Sequence, residues 1–152
     1  EIKACCKDSY INGQFDGPAR GTYMGIDWGP ANSTDSYTVI AIITVNEYLI
    51  PAIVFLKRFV GAEANFENMH QMIPTLAQQW GVNVIGADRG MGEASNAELR
   101  VRHGRDKVVE FMYSATLKQQ FPSWNGKGRF YTLNRNNQLC QPSKNFLQSP
   151  ST

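Results

Sequence analysis

The sequence predicts an α/β fold: a mixed central sheet, three antiparallel strands followed by parallel ones, with helices on both faces. Three observations lead there. Residues 22–59 hold three short apolar, β-branched runs separated by polar turns, the pattern of hairpin-linked strands. From Phe66 the apolar residues fall at spacings of three and four, the period of an amphipathic helix. Beyond it helical and strand-like segments alternate, as they do where crossover helices join parallel strands.

Thr22 to Trp28 is the first strand, and Gly29 to Ser36 a polar turn. Tyr37 to Val45 is the second strand, with Asn46-Glu47 as a tight hairpin turn into the third, Tyr48 to Phe59. Pro51 lacks a backbone donor, so this third strand belongs at a sheet edge or carries a bulge. Phe66, Met69, Ile73, Leu76, Ala77 and Trp80 share one helix face, and Gly81 is a natural C-terminal stop. Pro74 predicts a kink or a later helix start. Val82 to Ala87 is a buried fourth strand, Gly90-Met91-Gly92 a turn, Ala94 to His103 a second helix and Val108 to Tyr113 a fifth strand. Residues 114–128 read as loop, Arg129 to Leu133 as a short extra strand, and nothing regular is evident from Asn134 onward. Residues 1–21, with Gly13, Gly17, Pro18 and Gly21, read as a linker or incoming arm; 22–133 is the domain and 134–152 an irregular or disordered tail. A right-handed crossover sets the fourth strand beside the first.

The 152 residues suit one domain, and 42% apolar content supports a real core. No stretch is long and apolar enough to cross a bilayer, so no membrane partner is expected. Glu1, Lys3, Lys7 and Asp8 do not resemble a signal peptide. Cys5, Cys6 and Cys140 form neither a metal-ligand spacing nor an even disulfide framework, which reads as reduced thiols in a cytosolic protein. The net charge of +2 conceals an asymmetry. Residues 1–99 hold 6 Lys/Arg against 11 Asp/Glu, and residues 100–152 hold 9 against 2, with no acid beyond Glu110. An acidic half beside a basic half suits a polyanionic substrate.

Two strands each deliver a carboxylate to their C-terminal end just before a glycine turn: Gly25-Ile26-Asp27-Trp28-Gly29 and Gly86-Ala87-Asp88-Arg89-Gly90. Side by side, Asp27 and Asp88 would need a cation between them, or one would take a proton. Oxygen ligands favour a hard ion, Mg²⁺ or Mn²⁺. A two-ion site, with ions about 4 Å apart, serves phosphodiester cleavage. Glu93 is the candidate auxiliary ligand and Asp35 a weaker one. Structural roles compete at each position: Asp27 bracing a turn, Asp88 pairing with Arg89, Glu93 serving a helix dipole, Asp35 shaping a turn. His70, on the side of a helix, and His103, near a basic helix end, read as ordinary. Arg89, Arg100, Arg102, Arg105 and Lys107 are candidate DNA contacts, Arg89 first because it adjoins the carboxylates. Lys118, Lys127, Arg129 and Arg135 interleave with Phe121, Trp124, Phe130 and Tyr131, a mixture compatible with nucleic-acid contact. Phosphate-loop, nucleophile-elbow and zinc-ligand patterns are absent.

Gly25-Ile26-Asp27-Trp28-Gly29, a polar loop, then Ser36-Tyr37-Thr38-Val39-Ile40, then Val84-Ile85-Gly86-Ala87-Asp88-Arg89-Gly90-Met91-Gly92 together resemble the C-terminal nuclease domain of tailed-phage terminase large subunits. The resemblance runs from about Thr22 to Tyr131. It implies a ribonuclease H-like fold and a Mg²⁺- or Mn²⁺-dependent endonuclease cutting concatemeric double-stranded viral DNA during genome packaging, in the cytoplasm of the bacterial host. Asp27 and Asp88 match the family's catalytic metal ligands, and a portal protein and a terminase small subunit are the implied partners. The family brings a third acid from a late segment; here residues 134–152 contain none. Glu93 as substitute, an altered chain end, or a weak or inactive nuclease would each account for that. The family's ATPase half would precede residue 1. Two other readings compete. Gly25-Ile26-Asp27-Trp28-Gly29 with Asn32-Ser33-Thr34 also resembles the first phosphate loop of the actin, heat-shock chaperone and sugar-kinase superfamily. The non-enzyme reading is a remnant that only binds DNA or a portal protein.

Overall fold

The computed structural model describes residues 18–30, 36–114 and 122–134. β1 is Ala19–Asp27, and from Thr22 onward it alternates: Thr22, Met24 and Ile26 are buried, while Tyr23, Gly25 and Asp27 are exposed. β2, Thr38–Asn46, runs antiparallel to it, with Ile40 opposite Ile26 and Ile42 opposite Met24. Both isoleucines are fully buried, each contributing about 1.5–3 kcal/mol. β3, Pro51–Phe59, pairs antiparallel with β2 at the sheet edge and carries a bulge opposite Ile42/Ile43. Pro51 is the first residue of this edge strand, where its missing donor is tolerated, and the bulge lies further along, between Ile53 and Phe55. The hairpin loop is longer than Asn46-Glu47, because β3 starts at Pro51. The Asn46 side-chain oxygen accepts from the backbone N–H groups of Tyr48 (3.0 Å) and Ile50 (2.9 Å), and Leu49 takes φ 64°. This is the geometry of a three-residue loop closed by a left-handed residue.

The first helix, α1, spans Phe66–Gln79, and Asn65 caps it by accepting from the Asn68 N–H at 2.8 Å. It does not start after Pro74 but runs through it. Proline has no N–H for the carbonyl four residues back, which is that of His70. Arg102 of α2, Glu93–His103, donates its Nη1 to that carbonyl at 3.2 Å. One helix thus supplies the donor the other lacks. Arg100 and Arg102 occupy the last turn of α2, where cations interact favourably with the helix dipole.

Between the helices lies β4, Val84–Asp88; after α2 come β5, Val108–Ser114, β6, Ser123–Asn125, and β7, Phe130–Asn134. The seven strands lie in the order β3-β2-β1-β4-β5-β7-β6. β4 is parallel to β1 and to β5, and β7 is parallel to β5. The fold is α/β with a mixed sheet, as expected. Two corrections apply at its far edge: β6 lies within the segment read as loop, and β7 includes Asn134. Three residues of β6 are too few to show a period.

A further correction concerns the layers. Among the described residues both helices cover one face, not two. Met24, Ile26, Ile40, Ile42, Ile85 and Val108 share a single core cluster with Met69 and Ile73 of α1 and Leu99 of α2. β3 runs parallel to β4, since β3 and β1 are both antiparallel to β2. The crossovers β3-α1-β4 and β4-α2-β5 advance the same way across the sheet. A common right-handed sense puts both helices on the same side.

His70 is buried in this helical layer against Phe66, ring centroids 4.0 Å apart, and neither ring nitrogen has a hydrogen-bond partner among the described residues. Burial lowers its pKa below 6.5; Glu98 opposes the shift and Arg102 adds to it. Burial, then Lys107 and Arg102, lowers that of His103. The unfolded chain therefore binds more protons than the folded one as pH falls past the ordinary histidine value. Stability is fully present above that value and declines as pH falls toward the folded-state values. The urea midpoint should drop between about pH 8 and about pH 5.5, and His70→Leu should flatten that dependence in denaturation curves.

Candidate functional site

β1 and β4 are neighbours in register, with Ile26 opposite Ala87. Asp27 and Asp88 are the next residue on each strand. They emerge together on the face opposite the helices, at the C-terminal end of the parallel pair. Both line an open cavity of about 550 Å³ with Gly90, Met112 and Tyr113. A second hollow of about 400 Å³ runs from the same two carboxylates over Gly25, Gly86 and Phe111. Asp27 is exposed and Asp88 half-buried, so water and a ligand can reach both.

A buried amide holds the two strand ends together. The Trp28 indole Nε1 donates to Asn96 Oδ1 at 2.8 Å, and Asn96 Nδ2 donates to the Asp88 backbone oxygen at 2.9 Å. Asn96 is completely buried. The residue after Asp27 and the backbone of Asp88 are thereby joined through one side chain of α2. Two glycines are sterically required around this joint. A Cβ on Gly92 would lie 1.9 Å from Trp28 Cδ1 and 2.7 Å from the Asp88 oxygen. A Cβ on Gly29 would lie 2.3 Å from the Tyr37 oxygen, where the chain leaving β1 passes the approach to β2.

The cation next to Asp88 faces inward. Arg89 Nη1 donates to the Gly128 oxygen at 2.8 Å, and its Nη2 pairs with Glu93. Its guanidinium also lies 3.7 Å from Glu110 and 4.3 Å from the centre of the Phe130 ring. Arg100 Nη1 pairs with Glu110 Oε2 at 3.0 Å. Arg102 pairs with Glu98 at 2.9 Å besides holding the His70 carbonyl. Arg105 and Lys107 are exposed. Of the five basic candidates, then, Arg89, Arg100 and Arg102 have ion-pair partners among the described residues, Arg102 while still exposed, and Arg105 and Lys107 face solvent.

Glu93 pairs with Arg89, and among the described residues no group of three or more His, Cys, Asp or Glu is arranged to hold a metal. The carboxylates brought together are Asp27 and Asp88. Asp35 lies outside the described residues, as do Lys118, Phe121, Arg135 and the three cysteines. Two carboxylates fit an ion such as Mg²⁺, which commonly takes one or two protein carboxylates and completes its shell with water and substrate phosphates.

Sequence reasoning missed two residues of consequence. Glu110 is 1% exposed. Its signal was present: it shares the inward phase of Val108, where a charge requires a partner. Asn96 gave only a faint sign, a polar residue three positions before the buried Leu99. Asn96→Ala would leave the indole N–H and the Asp88 carbonyl unsatisfied. It should cost about 1–3 kcal/mol by urea denaturation, and Gly92→Ala should also destabilise because the displaced atoms are ring and backbone. No family model matches the chain, and no curated protein or solved structure matches it.

Proposed function

We propose that this chain is a ribonuclease H-like nuclease domain, similar to that of tailed-phage terminase large subunits, hydrolysing phosphodiester bonds of double-stranded DNA with Mg²⁺ or Mn²⁺. One observation carries the reading: Asp27 and Asp88 meet at the ends of adjacent parallel strands and line one open cavity. A bound divalent cation supplies an acidified water and neutralises charge at the phosphate. Asp27 and Asp88 would hold it. A cation held by Asp27 and Asp88 would offset their repulsion of a phosphodiester. Gly90 leaves room for the Asp88 carboxylate, since a Cβ there would lie 3.1 Å from its Oδ2. The Asn96 joint keeps the two strand ends in register, so the carboxylates need little rearrangement to act together.

Cleavage of concatemeric viral DNA, the host cytoplasm, and the portal and small-subunit partners belong to this proposal through the terminase resemblance. A second reading, a DNA- or portal-binding remnant of low activity, is favoured by the pairing of Glu93 with Arg89, which takes the third acid away from the other two.

A Mn²⁺-dependent plasmid-nicking assay separates the two. Asp27→Asn and Asp88→Asn should each reduce nicking by about 100-fold or more, equivalent to about 2.7 kcal/mol of barrier, with unchanged circular dichroism. Full nicking by either variant refutes the nuclease assignment, and an inactive wild-type chain supports the remnant.

A further inference from the structure

We propose that the cleft between the C-terminal end of α2 and the β6–β7 hairpin is a second, metal-independent site that binds a single nucleic-acid strand. Its phosphates would meet Arg105, Lys127 and Arg129, and a base would stack on Trp124. Two adjoining cavities of about 290 and 420 Å³ share Arg100, Arg105 and Arg129. The first adds Trp124 and Tyr131; the second adds Lys127. Arg100 is neutralised by Glu110 at 3.0 Å. Arg105, Lys127 and Arg129 are exposed and form no ion pair with any described residue. Among the described residues Asp106 is the one acid lining the cleft. Three unpaired cations facing one hollow attract a polyanion.

Two further observations select a nucleic-acid strand over an arbitrary anion. Trp124 is 51% exposed, and its ring lies 4.9 Å from that of Tyr131. An exposed indole beside cations is a platform on which a base stacks, independent of sequence. Arg129 has φ 57°, a conformation in which glycine is relaxed and a larger side chain is strained. The turn imposes it: the Arg129 N–H donates to the Asn125 oxygen at 2.7 Å, and the Gly128 N–H donates to Asn125 Oδ1 at 2.9 Å. An arginine held at such a position points to use of its side chain. The cleft opens near the N-terminal ends of β5 and β7, whereas the carboxylates sit at the C-terminal ends of β1 and β4.

This inference rests on the nucleic-acid part of the reading above and not on cleavage. Fluorescence anisotropy of the whole chain in EDTA, with a labelled oligothymidine and a duplex of equal length, tests it. Wild type should bind the single strand more tightly. The combined Arg105→Ala, Lys127→Ala, Arg129→Ala variant should lose about tenfold or more in affinity, and its log–log salt slope should shrink by about two, near 0.7 for each lost phosphate contact. Trp124→Ala should weaken single-strand binding about tenfold with the slope unchanged. Arg129→Gly should melt no lower than wild type yet bind more weakly, which separates lost contact from lost fold. A wild-type chain that binds neither probe overturns the proposal, as do variants that bind like wild type or a duplex preference indifferent to Trp124. A chain that binds the strand but never cuts sinks the nuclease reading alone; one that cuts while the triple variant binds normally sinks this site alone.

Discussion

The parallel pairing of β1 with β4 is the constraint on which the rest depends. It lies at the middle of the sheet, buries Met24, Ile26, Ile85 and Ala87 on one side, and carries Asp27 and Asp88 out on the other. A slip of one residue would turn the apolar set into water and the carboxylates into the core. The register that protects the core is therefore the register that assembles the acidic pair. Asn96 reinforces it from the helical layer, since its amide reaches Trp28 and Asp88 at once.

A second network works at the other side of β4. Glu110 rises from β5 into the helical layer, where Arg100 meets it closely and Arg89 more distantly. A buried carboxylate without such company would be strongly destabilising. Arg89 also reaches Glu93, the Gly128 carbonyl and the Phe130 ring. One guanidinium consequently ties the end of β4 to the start of α2, to β5 and to the last hairpin. Its position beside Asp88 reflects this bracing role, and the charge free to meet solvent lies elsewhere, on Arg105, Lys107, Lys127 and Arg129.

Much of this architecture was legible in the residues, for physical reasons that differ from place to place. Strands β1, β2 and β4 alternate or run apolar strongly enough to be read directly, and Pro51 marks an edge because a missing donor has few places to sit. The convergence of Asp27 and Asp88 followed from crossover handedness and two short motifs. Other features depend on contacts between distant segments. Nothing local distinguishes helices on two faces from helices on one; that depends on β3 running parallel to β4. The roles of Asn96, Glu110 and Arg89 emerge only when α2, β5 and the last hairpin are in place. The sequence of Asn46-Glu47 suggested a two-residue turn because the capacity of an asparagine side chain to take two backbone donors does not show in spacing.

Pro74 illustrates how a local defect becomes a global address. Without an N–H at that position, the carbonyl one turn earlier is left open, and Arg102 fills it from the neighbouring helix. The packed pair is thus keyed: sliding α2 along α1 by one turn would separate Arg102 from the open carbonyl. An imperfection in one helix selects the axial alignment of the other, and through Asn96 on that second helix it bears on how the strand tips are spaced.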